Sequence, residues 1–270
     1  MKTYLKIEKL DDHSWVISEG KGNGRTHCYL LEGENIAILI DTGLGLVNMK
    51  KITQSLTNKD IKVINTHGHL DHISKNYQFE KTFMHSRDLK LFKQHSDPHF
   101  RYQHYKSRYL KKGYSKWFVN SILFKIYIRS LWNIPHANLP NLLCNQIELG
   151  NRKLKIIETP GHTQGSVCIL DESRKWLFTG DTICEKGILL QLDESTNIEE
   201  YLKSMIKLKE IAPSIRHLYA GHQKIPLDTS YIDDYIYCSK EIIKNYENQR
   251  NPTTYRYKNI NITFKKVFKE

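Results

Sequence analysis

Four side chains that bind metal ions well, His67, His69, Asp71 and His72, fall in the stretch Thr66-His67-Gly68-His69-Leu70-Asp71-His72. The stretch follows an apolar run, Ile61-Lys62-Val63-Ile64, that reads as a strand. Alternate residues of extended chain share a face, so the end of such a strand splays His67 and His69 to one side. The turn then carries Asp71 and His72 to a second position. Each half-site is short of ligands, so the missing ones must lie downstream. Candidates stand in three further turns: His162 in Thr159-Pro160-Gly161-His162-Thr163-Gln164-Gly165-Ser166, Asp181 in Phe178-Thr179-Gly180-Asp181-Thr182, and His222 in Tyr219-Ala220-Gly221-His222. Each follows a short apolar run and has glycine directly before it. Glycine lets the backbone turn sharply and approach a crowded centre. With 13 histidines in the chain, one H-x-H-x-D-H could arise by chance. Four ligand-bearing turns in this order are much harder to obtain that way. Imidazole and carboxylate ligands without a ligating cysteine suit Zn2+, and Fe or Mn could fill the same pocket.

With these residues in hand, the sequence resembles the metallo-beta-lactamase fold superfamily, from about Trp15 to about His222, with an interruption between His85 and Leu142. Within it, the chain is more similar to the glyoxalase II and lactonase-like hydrolases than to the antibiotic-degrading enzymes. The nearest likeness is to small-molecule hydrolases that include an acyl-CoA thioesterase. That likeness is carried by Ile40-Asp41-Thr42-Gly43-Leu44-Gly45-Leu46, by His72 with Tyr77-Gln78-Phe79, by Pro160-Gly161-His162 with Gly165-Ser166, and by Leu177-Phe178-Thr179-Gly180-Asp181.

The resemblance implies an α/β fold: a four-layer αβ/βα sandwich of two mixed β-sheets flanked by helices, with metals at one edge. It implies two Zn2+ per chain: His67, His69 and His162 at one ion, Asp71, His72 and His222 at the other, and Asp181 bridging. Two cations would lower the pKa of a bridging water and turn it into the hydroxide that attacks an ester or thioester carbonyl. Asp71 is the internal candidate for passing the proton on. Asp41 ends a strand, where it would hold a ligand histidine by its free N–H or cap the next turn. Lactonases of the superfamily often have a tyrosine three residues after the bridging aspartate; here Cys184 stands there. A thiol is a weak donor, so lactonase activity loses support and an acyl-CoA-like thioester is favoured. The alternatives are a lactonase, a phosphodiesterase or nuclease of the same fold, a mononuclear iron dioxygenase, and a non-catalytic metal-binding protein.

The elements that must position these turns can be read in order. Trp15–Ser18, Thr26–Leu31 and Ile36–Ile40 are strands bounded by Gly-rich or polar turns. His27 and His217, both in strand context, read as packed or surface residues rather than ligands. Asn48 is a fitting N-cap for a helix reaching Thr57. A short helix is expected over Ile73–Phe79, a strand over Thr82–His85 and a helix over Arg87–Gln94. Lys75, so close to the ligands, is expected to point away from them. Gln146–Gly150 with Lys153–Glu158, and Val167–Leu170 with Lys175–Phe178, read as hairpins delivering His162 and Asp181. Ile198–Ile211 is a helix, Arg216–Ala220 delivers His222, and Thr229–Gln249 is a long amphipathic helix. The tail Thr253–Phe268 alternates as one or two edge strands.

The pattern breaks between His85 and Pro135, where eleven Lys/Arg face only Asp88 and Asp97, so this segment holds most of the chain's formal +12. It is also rich in aromatics, and Trp117–Trp132 has the apolar content of a buried or interfacial helix. The chain thus reads as one domain, 1–270, with a basic, aromatic helical insertion over 86–141. The insertion is expected to pack on the body, or to act as a lid whose cations meet an anionic small-molecule substrate. It could equally make an oligomer contact. A nucleic-acid surface is disfavoured, because the Pro160–Ser166 motif is like that of small-molecule relatives. No apolar run approaches a membrane span, Met1–Asp12 lacks a signal-peptide core, and five scattered cysteines argue for reduced thiols. The expected location is cytoplasmic.

Overall fold

The computed structural model describes residues 4–111 and 138–269. The N-terminal half builds a seven-stranded sheet from β1 (Leu5–Asp11), β2 (Ser14–Glu19), β3 (Thr26–Glu32), β4 (Ile36–Ile40), β5 (Asp60–Ile64), β6 (Thr82–Met84) and β7 (Asn141–Leu142). The strands lie in chain order, antiparallel from β1 to β4 and parallel from β4 to β7. A second, five-stranded sheet takes β8 (Gln146–Glu148), β9 (Lys153–Glu158), β10 (Val167–Asp171), β11 (Trp176–Gly180) and β13 (His217–Ala220), with β13 parallel to β11 and the other pairs antiparallel.

The apolar runs are continuous because both faces of each sheet are covered. Strand alternation sorts them. Cys28, Leu30, Ala37 and Leu39 face outward with Met49 of α1 (Met49–Leu56), whereas Tyr29, Leu31, Ile38 and Ile40 face inward. The inward set meets Val167, Ile169, Trp176 and Phe178 of the second sheet and forms the central core. On the far side, Cys168, Leu170, Leu177 and Leu218 pack with Tyr201, Met205 and Leu208 of a helix at Ile198–Ile211 and Ile232, Tyr235 and Ile242 of a helix at Ser230–Asn245. The result is the four-layer sandwich that the sequence implies. Asn48 caps α1 by accepting from the Lys51 N–H at 3.0 Å.

Three elements differ from expectation or add to it. The ligand stretch itself opens a helix, α2 (Leu70–Ile73), rather than preceding one at Ile73–Phe79. The His72 carbonyl accepts from the Thr42 N–H at 2.7 Å and from Asn65 Nδ2 at 3.1 Å. Those bonds occupy the acceptor that a longer helix would need, and Asn76–Gln78 forms only a 3-10 turn. Next, the Arg87–Gln94 helix begins as a 3-10 turn at Ser86–Asp88, continues as α3 (Leu89–Ser96) and is followed by α4 (Pro98–Lys111). The expected Trp117–Trp132 helix lies outside the described residues. Finally, the tail is no loose edge. It forms β14 (Thr253–Tyr257) and β15 (Ile260–Phe264), and β15 is the middle strand of a third sheet, paired parallel with β12 (Gly187–Leu190). Burial of Ile260, Ile262 and Phe264 against the two C-terminal helices, α5 (Ile198–Ile211) and α6 (Ser230–Asn245), fixes it there.

Candidate metal centre

Five strand ends converge on one edge of the sandwich. Beyond β4 stands Asp41, beyond β5 the Thr66–His72 stretch, beyond β9 His162, beyond β11 Asp181 and beyond β13 His222. The sheets are stitched together there by Val167 N–H to the Thr66 carbonyl at 2.9 Å and His27 N–H to the Gly221 carbonyl at 2.8 Å. Glycine is needed at two of these ends. Gly180 has φ +49°, and a Cβ on it would stand 2.6 Å from Thr66 Oγ1. A Cβ on Gly221 would lie 2.7 Å from Asp181 Oδ1 and 2.9 Å from His72 Cε1.

All seven side chains expected as ligands come together. His67, His69 and His162 form one group, and Asp71, His72 and His222 another, while His67, His72 and Asp181 form a group between them; the donor atoms within each lie within 4.8 Å of one another. Asp181 lies 3.5 Å from His162 Nε2 and 3.4 Å from the Nε2 atoms of His72 and His222.

The outer nitrogens fix the tautomers. His162 Nδ1–H donates to the Leu189 carbonyl, and His222 Nδ1–H to the Arg25 carbonyl, both at 2.8 Å. His72 Nδ1–H donates to Asp41 Oδ2 at 2.7 Å, and His69 Nε2–H to Glu194 Oε1 at 2.6 Å. Thr66 Oγ1 gives its hydrogen to Asp41, so it accepts from His67 Nδ1–H at 3.1 Å. A carbonyl or carboxylate has no proton to offer, so each ring, in its neutral form, points its bare nitrogen inward. His69 Nδ1 and His162 Nε2 then face each other at 2.9 Å, and His72 Nε2 and His222 Nε2 at 3.4 Å. Lone pairs this close repel unless a cation sits between them. His67 Nε2 and Asp181 Oδ1 are buried with no hydrogen-bond partner among the described residues. Such orphaned groups are costly. Divalent cations fit this donor set.

The two groups differ in charge: neighbouring carboxylates favour a second proton on His72 and His222, one that a bound cation would displace, whereas His67 and His162 stay neutral. Burial drives His67 well below the usual histidine range and His162 down to about 4. Burial pulls His72 and His222 down too, but Asp41 and Asp181 hold His72 well above that range, and Asp181 raises His222 to about 9. Asp181 is buried, which alone would raise its pKa, yet His222 and His72 push it well below the carboxylate range. Asp41, at φ +61°, spends its carboxylate on Thr66 and His72 rather than on its own turn.

The centre opens into a cleft of about 510 Å³. Its apolar walls are Leu44, Leu70, Phe100, Ile188, Leu189 and Leu192. No Lys or Arg lines it among the described residues. Lys75 points away: it is buried and within 3.4 Å of the Tyr77 hydroxyl. Cys184 does line the cleft, and burial pushes its thiol well above the ordinary range, so it is a poor nucleophile.

A model of the metallo-beta-lactamase superfamily matches residues 22–222. The chain belongs to that superfamily. Human acyl-coenzyme A thioesterase MBLAC2 is 23% identical over 219 residues, covering 75% of this chain and 74% of that protein. A Bacillus subtilis (strain 168) protein described as "Probable polyketide biosynthesis zinc-dependent hydrolase PksB" is 28% identical over 203 residues, 73% of this chain and 72% of that one. Among solved structures, a metallo-beta-lactamase family protein from Thermus thermophilus superposes with TM-score 0.63 at 20% identity, covering 87% of this chain and 82% of that one. The enzyme is a hydrolase of this superfamily.

Three residues of the site were not singled out from sequence. Glu194 holds His69; His69 pulls its carboxyl down to about 2, against the opposing effect of burial. Asp88 accepts from Gly68 N–H at 2.8 Å, Thr163 Oγ1 at 2.7 Å and Gly165 N–H at 2.7 Å, tying the first ligand turn to the second. His95 joins the cleft wall from α3, beside Phe100 and His104 of α4. The start of the basic segment is therefore part of the site's frame. His27, by contrast, is packed as expected, bonded to Ser18 Oγ and the Gln223 carbonyl.

Proposed function

We propose that the centre holds two Zn2+ and that the enzyme hydrolyses a thioester of the acyl-CoA type. His67 Nε2, His69 Nδ1 and His162 Nε2 would hold one ion, Asp71, His72 Nε2 and His222 Nε2 the other, with Asp181 shared. Bound as a pair, the ions supply Lewis acidity and acidify a water near them. The protein's own residues do the rest. Asp41, Glu194, Leu189, Arg25 and Thr66 keep each ring in the tautomer that offers a lone pair. Asp71 lines the cleft as a carboxylate; burial raises its pKa, but His72 and His222 lower it more. Its spare oxygen suits it to accept the proton released in the attack and to return it to the leaving thiolate. Leu44, Leu70, Phe100, Ile188, Leu189 and Leu192 give an acyl chain an apolar wall that excludes water.

The observation that carries this reading is the set of inward lone pairs facing one another on an apolar-walled cleft. The thioester preference is supported by the acyl-coenzyme A thioesterase activity for which the human relative is named and by the buried thiol at position 184. A zinc-loaded sample assayed against acyl-CoAs, lactones, glutathione thioesters and phosphodiesters tests it. Turnover of acyl-CoAs is expected. Inertness towards every thioester, with activity on another class, overturns the substrate.

A further inference from the structure

One imidazole in the cleft is used by none of the steps above. His95 is 7% exposed and lines the cleft, held between two rings: Phe100 with centroids 4.6 Å apart at 34°, and His69 at 5.1 Å and 32°. Its Nδ1 faces the Leu70 backbone N–H at 3.1 Å. An amide N–H can only donate, so Nδ1 is the acceptor and the ring proton sits on Nε2. Nε2 has no hydrogen-bond partner among the described residues. An Nδ1 that accepts from an amide carries no proton itself, so the ring is neutral. The carboxylate of Glu194 lies in the same group of His69, His95 and Glu194, but is already bonded to His69. A bound cation cannot use a nitrogen that carries hydrogen. What remains at this point of the wall is a fixed, neutral N–H donor.

From this geometry we propose that His95 Nε2–H is a substrate-binding group, donating to an acceptor atom of the thioester that lies against the α3–α4 wall. Its neutrality matters. The described lining carries Asp71, Asp181 and Glu194 and no fixed positive side chain. A neutral donor can orient a carbonyl or amide oxygen of an acyl-CoA without adding charge next to the ions. Tilted ring contacts with Phe100 and His69, and the bond from Leu70, hold the ring plane, so the direction of the bond selects where that acceptor must lie. The proposal rests on the hydrolase reading for the choice of probe.

Two substitutions separate this role from a structural one. His95→Asn can set its Oδ1 where Nδ1 now accepts from Leu70, but has nothing at the Nε2 position. His95→Gln can carry an N–H to the Nε2 position, but abandons Leu70. With octanoyl-CoA as probe and zinc content matched by elemental analysis, His95→Asn should lose about tenfold in kcat/KM, the value of one neutral hydrogen bond. His95→Gln should stay within about threefold of the parent by the same reasoning. The reverse order, or equal losses, makes His95 a structural residue and overturns the proposal. Nitrogen-15 NMR of His95 offers an independent readout: a proton on Nδ1 overturns it as well. If the parent enzyme hydrolyses no thioester, octanoyl-CoA included, but acts on another class, the thioester reading fails. Calorimetric binding of octanoate to the zinc-loaded variants then decides His95 by the same order of losses.

Discussion

Removing Asp88 isolates the frame that holds the two ligand turns in register. Its carboxylate is 1% exposed and takes the Gly68 N–H, the Gly165 N–H and the Thr163 hydroxyl. Asp88→Ala leaves those donors buried without an acceptor. Thr163 keeps Ser166 Oγ at 2.8 Å, so its loss is small. The two backbone donors have no substitute, and at about 1.5 kcal/mol each they set the cost at about 3 kcal/mol. For a chain of this size that lowers Tm by about 5–10 °C. Asp88→Asn can keep the oxygen that serves Gly68 and Thr163 while turning its amide towards Gly165, so about half the cost is expected, near 1.5 kcal/mol. Because Gly68 lies between His67 and His69 and Gly165 closes the turn that begins at His162, zinc affinity should fall by about 10- to 100-fold in the alanine variant. Urea denaturation of the metal-stripped protein gives the first quantity and competition with a chromogenic chelator gives the second. Both variants lying within about 0.5 kcal/mol of the parent, with unchanged affinity, would refute the assignment; that is the range of an ordinary surface substitution.

Arg152, fully buried, joins Asp171 at 2.5 Å and Ser14 Oγ at 2.9 Å across the two sheets. Arg152→Ala strands the Asp171 charge, and urea denaturation should report a loss of about 3–5 kcal/mol. Glu194→Ala frees the outer nitrogen of His69, and zinc affinity should fall by about tenfold while the metal-free stability holds; unchanged affinity would remove the positioning role. Glu19 is pushed by burial from 4.5 to about 7, so the folded state binds a proton that the unfolded state has released. The parent therefore loses stability as pH rises from 4.5 to about 7. Glu19→Gln should gain on the parent by about 2–3 kcal/mol across that window and no further above it; a gap independent of pH would contradict this.

Much of the candidate centre is legible in the chain because each turn that carries its residues follows an apolar strand and contains a glycine. His67, His162, Asp181 and His222 carry that local mark, and so does the cap at Asn48. The supporting residues carry none. Asp88 looks like a lone acid in a basic segment, and Glu194 follows Asp193 in an unpatterned loop. Each acquires its role from partners 20 to 125 residues away, which no local period records. His95 is equally silent, since its partner is a backbone amide rather than a side chain. The third sheet fails to announce itself for the same reason. Gly187–Leu190 pairs with Ile260–Phe264 across some seventy residues, and the lysines of the tail suggest an edge until Ile260, Ile262 and Phe264 are seen to face the helices.

Two cations shared through Asp181 are the centre of this account, and elemental analysis of the zinc-loaded, dialysed protein tests them most directly. Two equivalents of zinc per chain are expected, with Asp181→Ala losing at least one equivalent and nearly all turnover. A parent that retains no metal at saturating zinc, or an Asp181→Ala variant with unchanged zinc and rate, would contradict it.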